Sequence, residues 1–177
     1  MIKGIIVGIA AVLILGLLGA YVFVTTGRFP ANADAKPPAL EKWAAKVSLK
    51  ATIAREMLKT PNPVALSDDN LIAGIKLYAA NCAVCHGAAD GAASNVAKGL
   101  YQHPPQFGKD GVTDDEEGET YWKIFHGIRM TGMPSYRATL SETQMWQLTL
   151  FLKHMDELTP RAEKTWKALP SQAQAGA

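Results

Sequence analysis

Cys82-Ala83-Val84-Cys85-His86 is the stretch on which the reading of this chain turns. Two thiols separated by two residues can reach two vinyl groups on one edge of a porphyrin and form thioethers with them. The next residue then falls beneath the iron, where an imidazole nitrogen can bind it. Two other readings share the first four residues. A structural zinc site needs a second pair of Cys or His at ligand spacing, and the chain has only 2 Cys in all. A thioredoxin-type pair opens a helix after a strand, whereas this one closes a helix in a chain with little strand signal. The stretch therefore reads as the attachment of one covalent haem c through Cys82 and Cys85, with His86 on the iron. Both cysteines are then spent, and none is left for a disulfide elsewhere.

Upstream, Ser67 reads as a helix N-cap, with Asp68 and Asp69 in the first turn where acids suit the helix dipole. Leu71, Ile75 and Tyr78 carry that helix towards Cys82. An iron held by His86 usually takes a sixth ligand, and the chain offers 4 His and 6 Met. The strongest candidate is Met133, in Thr131-Gly132-Met133-Pro134-Ser135-Tyr136. Glycine permits close approach to a porphyrin and proline stiffens the loop, so that a weak thioether can compete with water. Met130 is its rival, His126 would give a bis-histidine iron, and an open position is the remaining alternative. Met145 and Met155 fall in the last expected helix, where core packing suits them, and Met57 belongs to an earlier helix.

Downstream, Glu119 to Arg129 is expected as a short helix with Tyr121, Trp122, Ile124, Phe125 and Ile128 as its apolar set. Ser141-Glu142-Thr143-Gln144 is a capping box. The helix it opens puts Leu148, Phe151, Leu152 and Met155 on one side, and Pro160 follows its end. The expected fold class is therefore all-α, a small domain of three helices around an apolar plate that supplies much of its core. Ser171 to Ala177 are small and polar and are expected to fray.

Gly4 to Val24 carries no charged or strongly polar side chain and would reach about 31 Å as a helix, enough for a hydrocarbon core. The competing reading is a cleaved signal peptide, with Ala31-Asn32-Ala33 as the cleavage site. The apolar run is longer than a signal h-region, which favours a retained anchor in the bilayer. After a linker broken by Pro30, Pro37 and Pro38, Ala39 to Lys59 reads as an amphipathic helix. Its apolar stripe is Leu40, Trp43, Val47, Ala51, Ala54 and Leu58, beside a row of Lys42, Lys46 and Lys50. Such a stripe suits either the membrane surface or packing against the domain that follows.

The 177 residues carry a formal net charge of +2, which argues against nucleic acid as the main partner. Asp110, Asp114, Asp115, Glu116, Glu117 and Glu119 crowd one loop, while lysines crowd the region after the apolar segment. These are either solvated faces or surfaces that steer a docking partner.

Cys82 to His86, with Gly74 and Tyr78 on the helix before it and Gly132-Met133-Pro134 after, resembles a class I c-type cytochrome over roughly residues 66–158. The stretch from His126 to Pro134 is similar to a membrane-anchored bacterial monohaem subgroup. The resemblance implies a class I cytochrome c fold in which Gly74 lets the N-terminal helix cross the C-terminal one and Tyr78 packs at that crossing. It implies Met133 as the sixth ligand. It also implies a proline whose carbonyl accepts the proton of the axial histidine's Nδ1; Pro104 and Pro105 are the candidates, with Pro105 preferred.

The expected organisation is an anchor over residues 1–28, a linker and amphipathic helix over 29–65, a cytochrome domain over 66–160 and a tail over 161–177. The expected function is single-electron transfer with His86 and Met133 as axial ligands, as a tethered carrier or as a subunit of a respiratory or dehydrogenase complex. The alternative is a haem enzyme or ligand-binding protein, peroxidase-like, with an open or displaceable sixth position. Attachment of this kind needs export, so the haem domain is expected on the outer, periplasmic side of a bacterial inner membrane. Membrane-associated redox donor and acceptor proteins are the expected partners. The denatured protein should keep its haem and give a c-type spectrum in pyridine, and Cys82→Ala or Cys85→Ala should weaken or abolish attachment. A mature protein whose mass shows no haem would end this reading.

Overall fold

The computed structural model describes residues 2–174, and every regular element among them is helical. In chain order these are α1 (Ile2–Thr25), α2 (Ala39–Glu56), α3 (Asp68–Asn81), α4 (Ala83–His86) and α5 (Asn95–Gly99). There follow α6 (Phe107–Asp110), α7 (Glu117–His126), α8 (Glu142–Lys153) and α9 (Pro160–Lys167), with a 3-10 turn at Gln172–Gln174. The last part of the tail expected to fray, residues 175–177, lies outside the described residues. The chain forms two units, Met1–Ala35 and Lys36–Ala177.

The first unit is α1. None of its residues is buried, and it is long and apolar enough to cross a membrane. That is compatible with a single-pass anchor. The Thr25 and Thr26 hydroxyls donate back to the carbonyls of Tyr21 (2.8 Å) and Val22 (2.6 Å), so the helix end satisfies its own acceptors.

In the second unit, α3 crosses α8 at Gly74. A Cβ placed there would lie 2.3 Å from the Gln147 carbonyl oxygen and 2.8 Å from Phe151 Cβ, so only glycine admits the approach. Both helices start as the sequence implies. Ser67 Oγ accepts from the Asn70 amide (3.3 Å) to open α3. Ser141 Oγ accepts from the Gln144 amide (3.3 Å) while Gln144 Oε1 accepts from the Ser141 amide (2.8 Å), which closes the capping box of α8. Around the crossing lie Leu71, Ile75, Tyr78, Leu148 and Phe151, all fully buried. Met145 and Met155 are buried in the same core. α7 joins it through Tyr121, whose ring stacks on Trp146 at 4.1 Å.

The sequence reading ends the ordered domain at Pro160, and here the structure differs. Thr159 Oγ1 accepts from the Ala162 amide (3.3 Å), Pro160 takes the first helical position, and α9 follows. Ala162 and Trp166 lie one turn apart and are both buried. The Trp166 ring meets Tyr78 at 5.3 Å and Phe151 at 5.2 Å. A helix with only two apolar anchors among charged residues gives too little periodicity to be seen in the sequence.

Two helix limits also shift. α7 covers Glu117–His126 rather than Glu119 to Arg129, because Gly127 (φ +66°) turns the chain out of the helix. α2 stops at Glu56 rather than Lys59: Met57 is extended, and the Leu58 backbone then lies against Gly118 of α7. α2 is attached by the side opposite its apolar stripe. Ile53 is buried, with Leu49 and Thr52 half-buried beside it, whereas Trp43 is 62 % and Val47 50 % exposed. Trp43 and Val47 therefore do not pack on the domain, whereas the last residue of the stripe, Leu58, lies against α7.

Part of the acidic loop is used internally. Lys123 Nζ reaches Asp115 (2.6 Å) and Glu119 (2.7 Å), and Lys153 Nζ donates to the carbonyls of Thr113 (2.7 Å) and Asp115 (2.9 Å). Burial lowers the Lys123 pKa, but Asp115 and Glu119 outweigh it and the net direction is upward. Trp166→Ala should destabilise the fold by about 3–5 kcal/mol, the cost of truncating a buried indole, read as a drop in denaturant midpoint. An unchanged midpoint would make α9 the tail that the sequence suggests.

Candidate functional site

The site grows from the C-terminal end of α3. The Cys82 amide donates to the Tyr78 carbonyl (2.8 Å), and the chain then tightens into α4, where the amides of Cys85 (3.0 Å) and His86 (2.9 Å) both donate to the Cys82 carbonyl. This turn is tied to the core, since the buried Tyr78 hydroxyl donates to the Gly87 carbonyl (2.8 Å). Both cysteines are free thiols and half-buried. Burial, with Cys85 adding to it, pushes the Cys82 thiol up to about 12.

His86 lies beside them. Its ring stacks on Phe107 with centroids 4.3 Å apart and planes 8° from parallel. Its Nδ1 is 3.0 Å from the Pro105 carbonyl oxygen. A carbonyl only accepts, so Nδ1 carries the proton and the Nε2 lone pair is left for a metal. Burial lowers the pKa of the ring, the hydrogen bond to Pro105 opposing it, and the neutral imidazole is the form that ligates. Of the two neighbouring prolines, Pro105 meets the histidine. The carbonyl of Pro104 instead accepts from Gln106 Nε2 (3.0 Å), which also donates to the Cys85 carbonyl (3.0 Å). Gln106 thus ties the loop under His86 to the cysteine turn. Nothing in the sequence marks it beyond its place after Pro105.

The Met133 loop is braced separately. The Ile128 amide donates to the Met133 carbonyl (3.1 Å). Thr131 Oγ1 donates to the Ile128 carbonyl (2.7 Å) and accepts from the Met133 amide (3.1 Å). The Tyr136 amide donates to the Ile124 carbonyl (3.1 Å), and its hydroxyl donates to the Asn81 carbonyl (2.7 Å). The loop is therefore bonded to the residue just before Cys82. Burial, with the two cysteines adding to it, pushes the Tyr136 phenol up to about 12. Met133 and Cys82 both pack against the core, half-buried. Met130 differs sharply: it is 90 % exposed and, among the described residues, is the one non-glycine with a left-handed backbone (φ +60°). His126 is exposed too, its ring 4.8 Å from that of Trp122.

Two free thiols two residues apart, a neutral imidazole beside them and a thioether on a braced loop are a donor set that fits a haem c. With an all-helical fold around the Gly74 crossing, they set the class: residues 69–152 are a c-type cytochrome domain, which carries covalently bound haem c and whose work is electron transfer. The same residues match the family described as Cytochrome C oxidase, cbb3-type, subunit III. Neither a curated protein nor a solved structure matches the chain.

The double bridge from Gln106 supports a stability test. Gln106→Leu keeps the bulk but leaves the Cys85 and Pro104 carbonyls without this partner. It should lower stability by about 1–3 kcal/mol in denaturant unfolding. A neutral result would mean that the loop under His86 is held without it.

Proposed function

We propose that this chain is a membrane-tethered single-electron carrier or complex subunit, in which Cys82 and Cys85 hold the haem as thioethers and His86 and Met133 are the axial ligands. The observation that carries the reading is the His86 hydrogen bond to Pro105, which fixes both the tautomer and the plane of the ring. When bound, haem c supplies a one-electron iron couple.

The chain's own residues do the rest. His86 presents Nε2 with its ring held between the Pro105 carbonyl and the Phe107 face. Met133 sits on a loop fixed by Thr131 and Tyr136, so its thioether need not be ordered at the moment of binding. A thioether donates poorly to ferric iron and raises the reduction potential relative to two histidines. Two protein ligands leave no position for substrate, which favours electron transfer over catalysis. Met130 is ill placed for the same role, since it is 90 % exposed while Met133 packs half-buried against the core.

α1 serves as the anchor, the residues after it as linker and amphipathic helix, and the cytochrome domain extends through α9. The domain lies on the outer side of a bacterial inner membrane. Tethering implies redox partners in the same membrane, and the description of the matched family, an oxidase subunit, names the class of complex that fits.

The oxidised protein should show a weak near-infrared sulfur-to-iron charge-transfer band. Met133→Ala should remove it, lower the potential and open the iron to added ligands, while Met130→Ala leaves all three unchanged. The reverse pattern would move the assignment to Met130. A wild-type protein without the band that binds carbon monoxide would favour the open, enzyme-like site.

A further inference from the structure

α2 segregates its residues by charge and polarity in a way that its contacts alone do not require. Its two acids both turn to the domain: Glu41 accepts from the Tyr101 hydroxyl (2.7 Å) and Glu56 from the Trp122 indole (3.3 Å). Ile53 is buried between them along the same side. The opposite side carries Leu40, Trp43 and Val47, respectively 73 %, 62 % and 50 % exposed. At 3.6 residues per turn, the exposed Lys42, Lys46 and Lys50 run between that apolar strip and the side that carries Ile53, with Lys50 nearest the strip. Single exposed apolar residues are ordinary, but three on one face of a helix that packs by its other face are an unpartnered surface.

We infer that this face of α2 lies on an anionic lipid surface and so sets how the cytochrome domain faces the membrane. The lysine row is the charge complement of lipid phosphates, and lysine stems cover apolar area while their ammonium groups reach outward. Trp43 in the strip suits the headgroup region. Chain length agrees: the linker from Thr26 to Pro38 extends to about 45 Å at most, at roughly 3.5 Å per residue. This inference rests on the anchor reading of α1, through which α2 is held within that reach of a bilayer. A groove on another protein would match the apolar strip but gives no reason for both acids to face inward and the lysines to run beside it. Because Glu41 and Glu56 bond to the domain at opposite ends of α2, the helix and the domain would seat together, not through a free joint.

The test uses the full haem-loaded chain, reconstituted into liposomes of phosphatidylcholine with or without phosphatidylglycerol. A nitroxide is placed through Val47→Cys, and a second, on the edge of the helix away from the lysines, through Ser48→Cys. In phosphatidylglycerol liposomes, collisions of the Val47→Cys label with an aqueous nickel complex should fall at least threefold relative to detergent, while the Ser48→Cys label stays wet. The protection should be lost at 1 M salt, where the screening length is about 3 Å, and in the chain with Lys42→Gln, Lys46→Gln and Lys50→Gln. In the unaltered chain, acylation of the three lysines followed by mass spectrometry should show the same lipid-dependent protection. A label as wet in anionic liposomes as in detergent, on a chain that floats with them, would overturn the inference. So would protection seen only in native membranes, which would assign the face to a protein partner. Flotation with anionic but not zwitterionic liposomes would remove the anchor and keep the α2 face; flotation with neither would remove both.

Discussion

Two helices can approach until one backbone touches the other where one of them brings no side chain to the meeting point, and Gly74 creates that condition between α3 and α8. The remaining geometry hangs on it. One turn after Gly74, Tyr78 enters the core against Phe151 and Trp166 and holds the Gly87 carbonyl, so the crossing fixes the height at which α3 ends. The two cysteines and His86 leave from that end. α8 in turn offers Trp146 to Tyr121, which places α7, and α7 carries the loop with Met133 through the bond from Tyr136 to Ile124. Both halves of the site are thus cantilevered from one close contact, and the Tyr136 bond to Asn81 joins them again at the far side.

What the sequence discloses is what depends on neighbours along the chain. The cap at Ser67, the capping box at Ser141 and the cysteine turn are local patterns whose physics is complete within a few residues, whereas the crossing roles of Gly74 and Tyr78 are implied only by the resemblance to class I cytochromes. What it conceals depends on which surfaces meet. The buried apolar residues of α9 are Ala162 and Trp166, and a two-residue stripe is indistinguishable from chance. α2 inverts the usual inference, since its most apolar residues are exposed while Ile53, the half-buried Leu49 and Thr52, and two carboxylate hydrogen bonds face the domain.

The site divides along the same line. Cys82, Cys85 and His86 are legible because covalent attachment demands a fixed spacing. The choice between Pro104 and Pro105 is not, since two adjacent prolines share the same restricted backbone and only the path of the loop decides which carbonyl reaches Nδ1. Gln106 and Thr131 act by bridging main-chain groups, among them the Cys85 carbonyl and the Met133 amide, and a side chain of that kind leaves no periodic trace. The sequence already prefers Met133 through its Gly-Met-Pro context, and a left-handed backbone with 90 % exposure sets Met130 apart from it in space.

The same crossing has a consequence for the order of events when the chain is made. α3 and the cysteine turn are made before their packing partners, α8 and α9. Until those arrive, the face of α3 around Gly74 has no helix to cross, and the loop-closure entropy of joining it to α8 and α9 is still to be met. A nascent chain therefore carries both thiols before it can form the crossing that fixes the height of their turn.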